Sequence, residues 1–253
     1  MPSFAPDSPV VDRVVPSPNH GERRGGVPVT MLLLHYTGMR SAEAALARLA
    51  EHGSDVSAHY LVFEDGATVQ FVPEARRAWH AGEARWAGES DVNSRSVGIE
   101  IVNPGHDWGY VDFPDAQIAK VIALCRDIVA RHAIRPDRVL AHSDVAPARK
   151  QDPGEKFPWP RLAAAGVGLW VPPEPITDGG PVLRLGDSGA AVRDLQARLA
   201  AYGYDIATSA TYDAATADVV SAFQRHFRPA RVDGIADAST QKTLAKLLAA
   251  RPA

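Results

Sequence analysis

The run VPVTMLLLH at residues 27–35 constrains the fold of this chain more than any other stretch. It has the length of a strand, and its apolar character is nearly continuous rather than alternating. A strand that offers neither face to water fits the interior of a sheet covered on both sides. The expected architecture is therefore α/β, a mixed central sheet flanked by helices. Thr37 and Gly38 end the run, and Ser41 then caps a helix over residues 42–52 that Gly53 stops.

Further elements follow from pattern. Residues 58–72 read as a hairpin whose short loop centres on Asp65 and Gly66, a pair that suits a tight primed turn. Residues 73–96 read as a long functional loop. In the strand over 96–102, Ile99 and Ile101 face one way while Gly98, Glu100 and Val102 face the other. The clearest helix spans 114–132, with Ile118, Val121, Ile122, Cys125, Ile128 and Val129 on one stripe. A short strand over 139–142 and a short helix over 158–165 complete this part. Residues 1–26, rich in Pro, Ser, Asp and Arg, read as an irregular lead-in.

The eleven residues VPPEPITDGGP at 171–181 hold four prolines and two glycines, the composition of a linker. Beyond it, residues 182–253 carry three helical patterns, at 190–202, 213–227 and 238–249. The expected organisation is thus a lead-in (1–26), a larger α/β unit (27–170), a linker (171–181) and a small C-terminal three-helix domain (182–253) that folds separately.

Composition narrows the classes of function. With 253 residues, 45% of them hydrophobic, the chain can bury one large core or two small ones. A formal net charge of −3 gives no basic excess for nucleic acid and no polybasic run for an anionic membrane surface. The single cysteine, Cys125, excludes an intramolecular disulfide and reads as a buried structural thiol. The N-terminus lacks the basic start and apolar core of a secretory signal, and no stretch is long enough to span a bilayer.

The segment AHSDVAPARKQDPG at 141–154 concentrates the candidate chemistry. His142 and Asp152 stand ten residues apart, and the Pro-Gly pair after Asp152 would let one loop fold back and present both to one point. His35 ends the apolar strand. A histidine at a strand end is either structural or a ligand; read as ligands, two imidazoles and one carboxylate make a three-ligand zinc site with a fourth position left for water, the arrangement of a hydrolase. Glu100 is either a solvated strand residue or the carboxylate that moves a proton at such a site. Lys150, two residues before Asp152, is either a surface lysine or a cation facing a developing oxyanion, and spacing alone leaves both readings open.

At this point the residues resemble a family. LHYTG at 34–38, SAHYLV at 57–62, AWHAG at 78–82, GIEIVN at 98–103 and the 141–154 segment are similar, in order, to the zinc N-acetylmuramoyl-L-alanine amidases of the type-2 (AmpD/AmiD-like) family. The resemblance implies the peptidoglycan-recognition-protein fold, zinc ligands at His35, His142 and Asp152, an acid/base at Glu100 and a transition-state cation at Lys150. His80 matches a residue lining the substrate cleft, and Asn103 and Arg149 fall in matching blocks as candidate substrate contacts. His59 more naturally orients the hairpin; His20, His52, His106, His132 and His226 match nothing and read as structural or surface. The C-terminal unit, from LRLGDSGAAVRDLQARL at 183–199 to DGIADAST at 233–240, resembles the three-helix peptidoglycan-binding domain.

The implied reaction is hydrolysis of the amide between N-acetylmuramic acid, or its 1,6-anhydro form, and L-alanine of the stem peptide, in cell-wall turnover or recycling. Peptidoglycan or a muropeptide is the expected partner, and a monomer the expected state. The N-terminus points to the cytoplasm, the binding domain to the periplasm or cell envelope. A non-catalytic peptidoglycan receptor would typically lack one of the three ligands. A murein-anchored structural protein would need only the C-terminal unit, and a zinc peptidase would show another spacing such as HExxH, which is absent.

Overall fold

The computed structural model describes residues 4–252; residues 1–3 of the lead-in and Ala253 of the C-terminal unit lie outside the described residues. The strands are β1 (Arg13–Val14), β2 (His20–Glu22), β3 (Met31–Tyr36), β4 (Tyr60–Val62), β5 (Thr68–Gln70), β6 (Arg76–Ala78), β7 (Ser96–Ile101) and β8 (Val139–Ala141). The α-helices are α1 (Ala42–Ala50), α2 (Val92–Arg95), α3 (Asp115–His132), α4 (His142–Val145), α5 (Trp159–Ala164), α6 (Ala190–Tyr202), α7 (Ala214–Phe227) and α8 (Ala238–Ala250).

Six strands form one mixed sheet in the order β1-β5-β4-β7-β3-β8, and β2 pairs with β6 in a second, two-stranded sheet. β3 runs parallel to both β7 and β8, with Leu33 opposite Gly98 and His35 opposite Glu100. Both faces of β3 are covered, as its sequence requires. Leu32 and Leu34 join Val97, Ile99 and Ile101 under the stripe Ile118, Val121, Leu124, Cys125 and Ile128 of α3. Met31 and Leu33, with Leu140, belong to a second core that contains Trp86 and Val145. α1 covers a third cluster around Leu61, Val69 and Phe71.

The second core does not stop at the linker. Leu195, Leu199 and Tyr202 of α6, Val219, Phe223 and Phe227 of α7, and Leu244 and Leu247 of α8 belong to the same cluster as Met31 and Leu33. Trp86 sits edge-on to Tyr202 and Tyr204, at ring distances of 5.6 and 5.1 Å. Gly203 leaves room for that ring, since a Cβ there would come within 2.6 Å of it, and Ala87 N–H donates to the Gly203 carbonyl at 2.7 Å. The proline-rich segment is docked as well: Glu174 N–H donates to Thr243 Oγ1, and Ser239 Oγ–H to the Glu174 carbonyl. Linker composition suggested units that fold apart; the packing gives them one shared core.

Three smaller expectations are corrected. The lead-in is not wholly irregular, because β1 extends the main sheet beside β5 and β2 pairs with β6. The long loop therefore contains a strand and a helical turn. At the hairpin tip, Gly66 donates to Phe63 and Phe63 to Ala67, with Gly66 at φ 91° and no positive φ at Asp65. That is a three-residue loop closed by a left-handed glycine rather than a two-residue primed turn, which would need positive φ at Asp65, its first central position.

A shared core predicts shared unfolding. Trp86→Ala should lower stability by about 3–5 kcal/mol, the usual range for an emptied aromatic site. Urea unfolding followed by fluorescence and circular dichroism should show one transition; two separated transitions would show that the C-terminal helices fold on their own.

Candidate metal centre and active site

His35 is the penultimate residue of β3, Glu100 the penultimate residue of β7, and His142 follows β8 directly. Three neighbouring strand ends thus deliver three of the site groups to one edge of the sheet. His142 does not end a strand, as its apolar lead suggested; it opens the single turn α4, where Ala146 N–H donates back to its carbonyl. The loop then returns, and Ser143 N–H donates to the Asp152 carbonyl at 3.0 Å. This is the fold-back that the spacing of ten residues implies.

His35 Nδ1 and His142 Nδ1 lie 2.9 Å apart, and each is 3.0 Å from Asp152 Oδ2. All three side chains are buried. His142 Nε2 faces the Ala81 carbonyl at 3.0 Å. A carbonyl only accepts, so Nε2 carries the proton and a neutral ring presents a bare lone pair at Nδ1. On the same logic His35 Nε2 donates to His80 Nδ1 at 3.1 Å, and His80 Nε2 donates to Ser96 Oγ at 3.2 Å, whose own proton goes to the Val92 carbonyl. Burial, reinforced by His142, pushes the His35 imidazole down to about 4, which keeps it neutral near pH 7. Burial alone would raise Asp152, but a proton entering the cluster settles on a facing imidazole and pairs with the carboxylate, which holds the carboxyl well below the usual carboxylate range. Two nitrogen lone pairs and an anionic oxygen converging with no proton between them fit a cation at their centre. Among the described residues this is the one trio of such side chains whose ligand atoms can hold a metal ion.

The site opens into a cleft of about 350 Å³ lined by Glu100, Lys150 and Arg149 together with His80, His142 and Asp152. Glu100 Oε2 is buried there, and among the described residues it has no hydrogen-bond partner. Desolvation first, then the nearby Asp152 charge, push its carboxyl well above the usual range, with Lys150 opposing. Arg149 also lines the cleft, but its guanidinium donates to the carbonyls of Ala81 and Glu83, bracing the segment that receives His142 Nε2–H.

His80 has a double position: it lines the cleft and also hydrogen-bonds His35. Gly98 makes this possible, since a Cβ there would stand 2.5 Å from the His80 ring. Asn103 is corrected. Its side chain is buried and occupied, donating to the Val111 carbonyl and accepting from Gly105 N–H, so it holds the following loop. His59 accepts from Gly98 N–H and holds β4 to β7. Sequence reasoning missed Tyr36 and His106, which line the cleft and are joined by a 2.9 Å hydrogen bond, His106 reaching Glu155 on its other side. Tyr36 sits next to His35 and could have been suspected; His106 lies in a loop with no period to mark it.

Two imidazoles and a carboxylate at the floor of an open cleft, with an unpaired carboxyl beside them, define a hydrolytic site of the kind that holds one metal ion. The chain belongs to the N-acetylmuramoyl-L-alanine amidase family, which it matches over residues 25–155, and residues 188–244 match a peptidoglycan binding domain. It is 38% identical over 234 residues to the N-acetylmuramoyl-L-alanine amidase AmiD of Escherichia coli (strain K12), covering 87% of this chain and 82% of that protein. Among solved structures it is similar to AmiD from E. coli in complex with the substrate anhydro-N-acetylmuramic acid-L-Ala-D-gamma-Glu-L-Lys, with a TM-score of 0.75 at 37% identity over 89% of this chain and 91% of that one. It is also similar to AmpDh3 from Pseudomonas aeruginosa, with a TM-score of 0.74 at 30% identity and 100% of both chains covered. The protein is an amidase of peptidoglycan, cleaving the amide between N-acetylmuramic acid and the L-alanine of the stem peptide.

The Gly98–His80 contact gives a direct test of the support behind His35. Gly98→Ala should displace the His80 ring and weaken metal binding by about 10–100-fold, the usual effect of losing an outer partner of a ligand. Competition with a chromophoric chelator measures it; unchanged affinity would remove His80 from the support of the site.

Proposed function

We propose that the metal is zinc, held by His35, His142 and Asp152, and that Glu100 and Lys150 carry the chemistry of amide cleavage. The observation that carries the second part is the buried, unpartnered Glu100 Oε2, set one strand over from His35 at the floor of the cleft. When bound, zinc supplies a Lewis acid at the point where the three donors converge.

The chain's own groups do the rest. Glu100, whose carboxyl burial and Asp152 raise while Lys150 opposes, takes a proton from the attacking water. The water oxygen bonds to the lactyl carbonyl carbon, the Lys150 ammonium faces the oxyanion, and Glu100 returns the proton to the alanine nitrogen as the C–N bond breaks. His80 and Arg149 wall the cleft, His80 bonded to the ligand His35 and Arg149 to the Ala81 carbonyl that His142 also meets. The reacting amide is the same in a 1,6-anhydro-muropeptide and in the polymer. The AmiD complex supports the soluble fragment as a substrate, and the C-terminal match supports the polymer, which would place the enzyme at the cell envelope.

Purified protein should hold one zinc per chain and lose activity when stripped, recovering with added zinc. Glu100→Gln should keep the zinc and lose on the order of 100-fold or more in kcat on a soluble muramyl-L-alanine peptide. Lys150→Met should likewise keep zinc and slow the chemical step. Near-normal turnover by either variant would remove that residue from the reaction.

The peptidoglycan-binding reading has its own test. Full-length Glu100→Gln protein, unable to digest its ligand, should co-sediment with purified sacculi and stay in solution with cellulose particles. Equal recovery from both would indicate adsorption without recognition.

A further inference from the structure

Asp144 is fully buried on α4, two residues after His142. Its Oδ2 accepts from Ala141 N–H at 2.8 Å and from His226 Nδ1 at 2.7 Å, and its Oδ1 accepts from the Tyr204 hydroxyl at 2.8 Å. A carboxylate can only accept, so the proton of His226 sits on Nδ1. Tyr204 and His226 both belong to the stretch that matches the peptidoglycan binding domain. Neither side chain faces solvent in any useful degree, at 3% and 2% exposure. The His226 ring is clamped between Trp159 and Phe227, stacked at 3.7 and 3.8 Å.

This arrangement does more than join two units. α4 is a single turn, far too short to persist on its own propensity. Its first backbone donor, Ala141 N–H, is satisfied by Asp144 itself, so the carboxylate closes the turn whose first residue is His142. The same carboxylate is then held from outside by two donors of the C-terminal unit. Rotating α4 would swing His142 Nε2 off the Ala81 carbonyl and Nδ1 away from Asp152. We infer that His226 and Tyr204 are positioning residues for the His142 metal ligand, so that the peptidoglycan-binding unit also braces the metal loop of the amidase.

The inference rests on His142 being a zinc ligand, and the experiment keeps the two readings apart. Full-length His226→Phe retains an aromatic ring between Trp159 and Phe227 but removes the donor to Asp144. Tyr204→Phe removes only a hydroxyl. His226→Asn offers an amide N–H where Nδ1–H stood. Zinc affinity is measured by chelator competition well below the melting transition, with the visible bands of the cobalt-substituted protein and kcat and KM on a soluble anhydro-muropeptide at saturating zinc. The expected result for His226→Phe is a loss of about 10–100-fold in zinc affinity, the effect of an outer partner, with shifted cobalt bands and a fall in kcat at little-changed KM. Tyr204→Phe should move the same way by less, and His226→Asn should recover part of the affinity. Wild-type zinc affinity and cobalt bands in folded His226→Phe and Tyr204→Phe, whatever their melting temperatures, would overturn the inference; should His226→Phe not fold, Tyr204→Phe decides. His142→Ala serves as the control. If it binds zinc normally, the metal assignment itself fails, whereas its loss of zinc beside normal brace variants rejects only the brace.

Discussion

The double burial of β3 is the constraint on which the remaining structure depends. A strand with Leu32 and Leu34 on one face and Met31 and Leu33 on the other needs two separate covers, and α3 supplies only one of them. The other comes from Trp86, Val145 and the C-terminal helices. Because both faces are closed, polar chemistry can emerge only where the strands end. In parallel strands the carboxyl ends lie together, and an open sheet of this kind places ligands there. His35, Glu100 and His142 are the first groups at those ends that could do acid/base or metal chemistry. The site is thus a consequence of where the apolar runs stop.

Two carboxyls in that cleft meet opposite fates for a reason that is plain in their neighbours. Asp152 lies against two imidazole nitrogens, and a proton entering the cluster settles on an imidazole, where it pairs with the carboxylate, so the carboxyl stays well below the usual range despite its desolvation. Glu100 suffers the same desolvation with no hydrogen-bond partner on Oε2 among the described residues, and Asp152 adds repulsion. One carboxyl is therefore kept as an anionic ligand, while the other binds a proton readily. Environments that push two acids apart in this way divide the labour between them. The division is built by strand register, because His35 and Glu100 are opposite one another in β3 and β7 while Asp152 arrives from a loop.

Legibility in the sequence followed from the range of the interactions involved. β3 was readable from an unbroken apolar run, and α3 and the alternation of Glu100 against Ile99 and Ile101 from a local period, patterns that burial enforces. The return of the 142–152 loop was readable because proline and glycine mark it, and the structure adds the Ser143–Asp152 backbone bond that closes it. β1 and β2 escaped because strands of two and three residues carry no period and are specified by their partners. Asn103 misled because a matching block does not say which way a side chain turns, and here Val111 and Gly105 had claimed it. His226 looked like an ordinary helix residue; only the tertiary fold brings it to Asp144, 82 positions away.

The docking of the C-terminal helices changes what a binding unit can do for this enzyme. On a flexible linker, such a unit raises the local concentration of enzyme along a polymer, and the gain depends on linker length. Here the segment after Val171 is fixed by Thr243 and Ser239, and Tyr204 and His226 hold the unit to α4. A unit docked in this way would hold any peptidoglycan strand it bound at a fixed offset from the cleft. The same rigidity leaves a soluble fragment free to enter the cleft, because nothing about its binding depends on the offset. For soluble substrates the unit can act only through its packing on the catalytic core and the contacts it makes to the metal loop, of which the buried Asp144 carboxylate is the most enclosed, and this is physically separate from any effect of distance along a polymer.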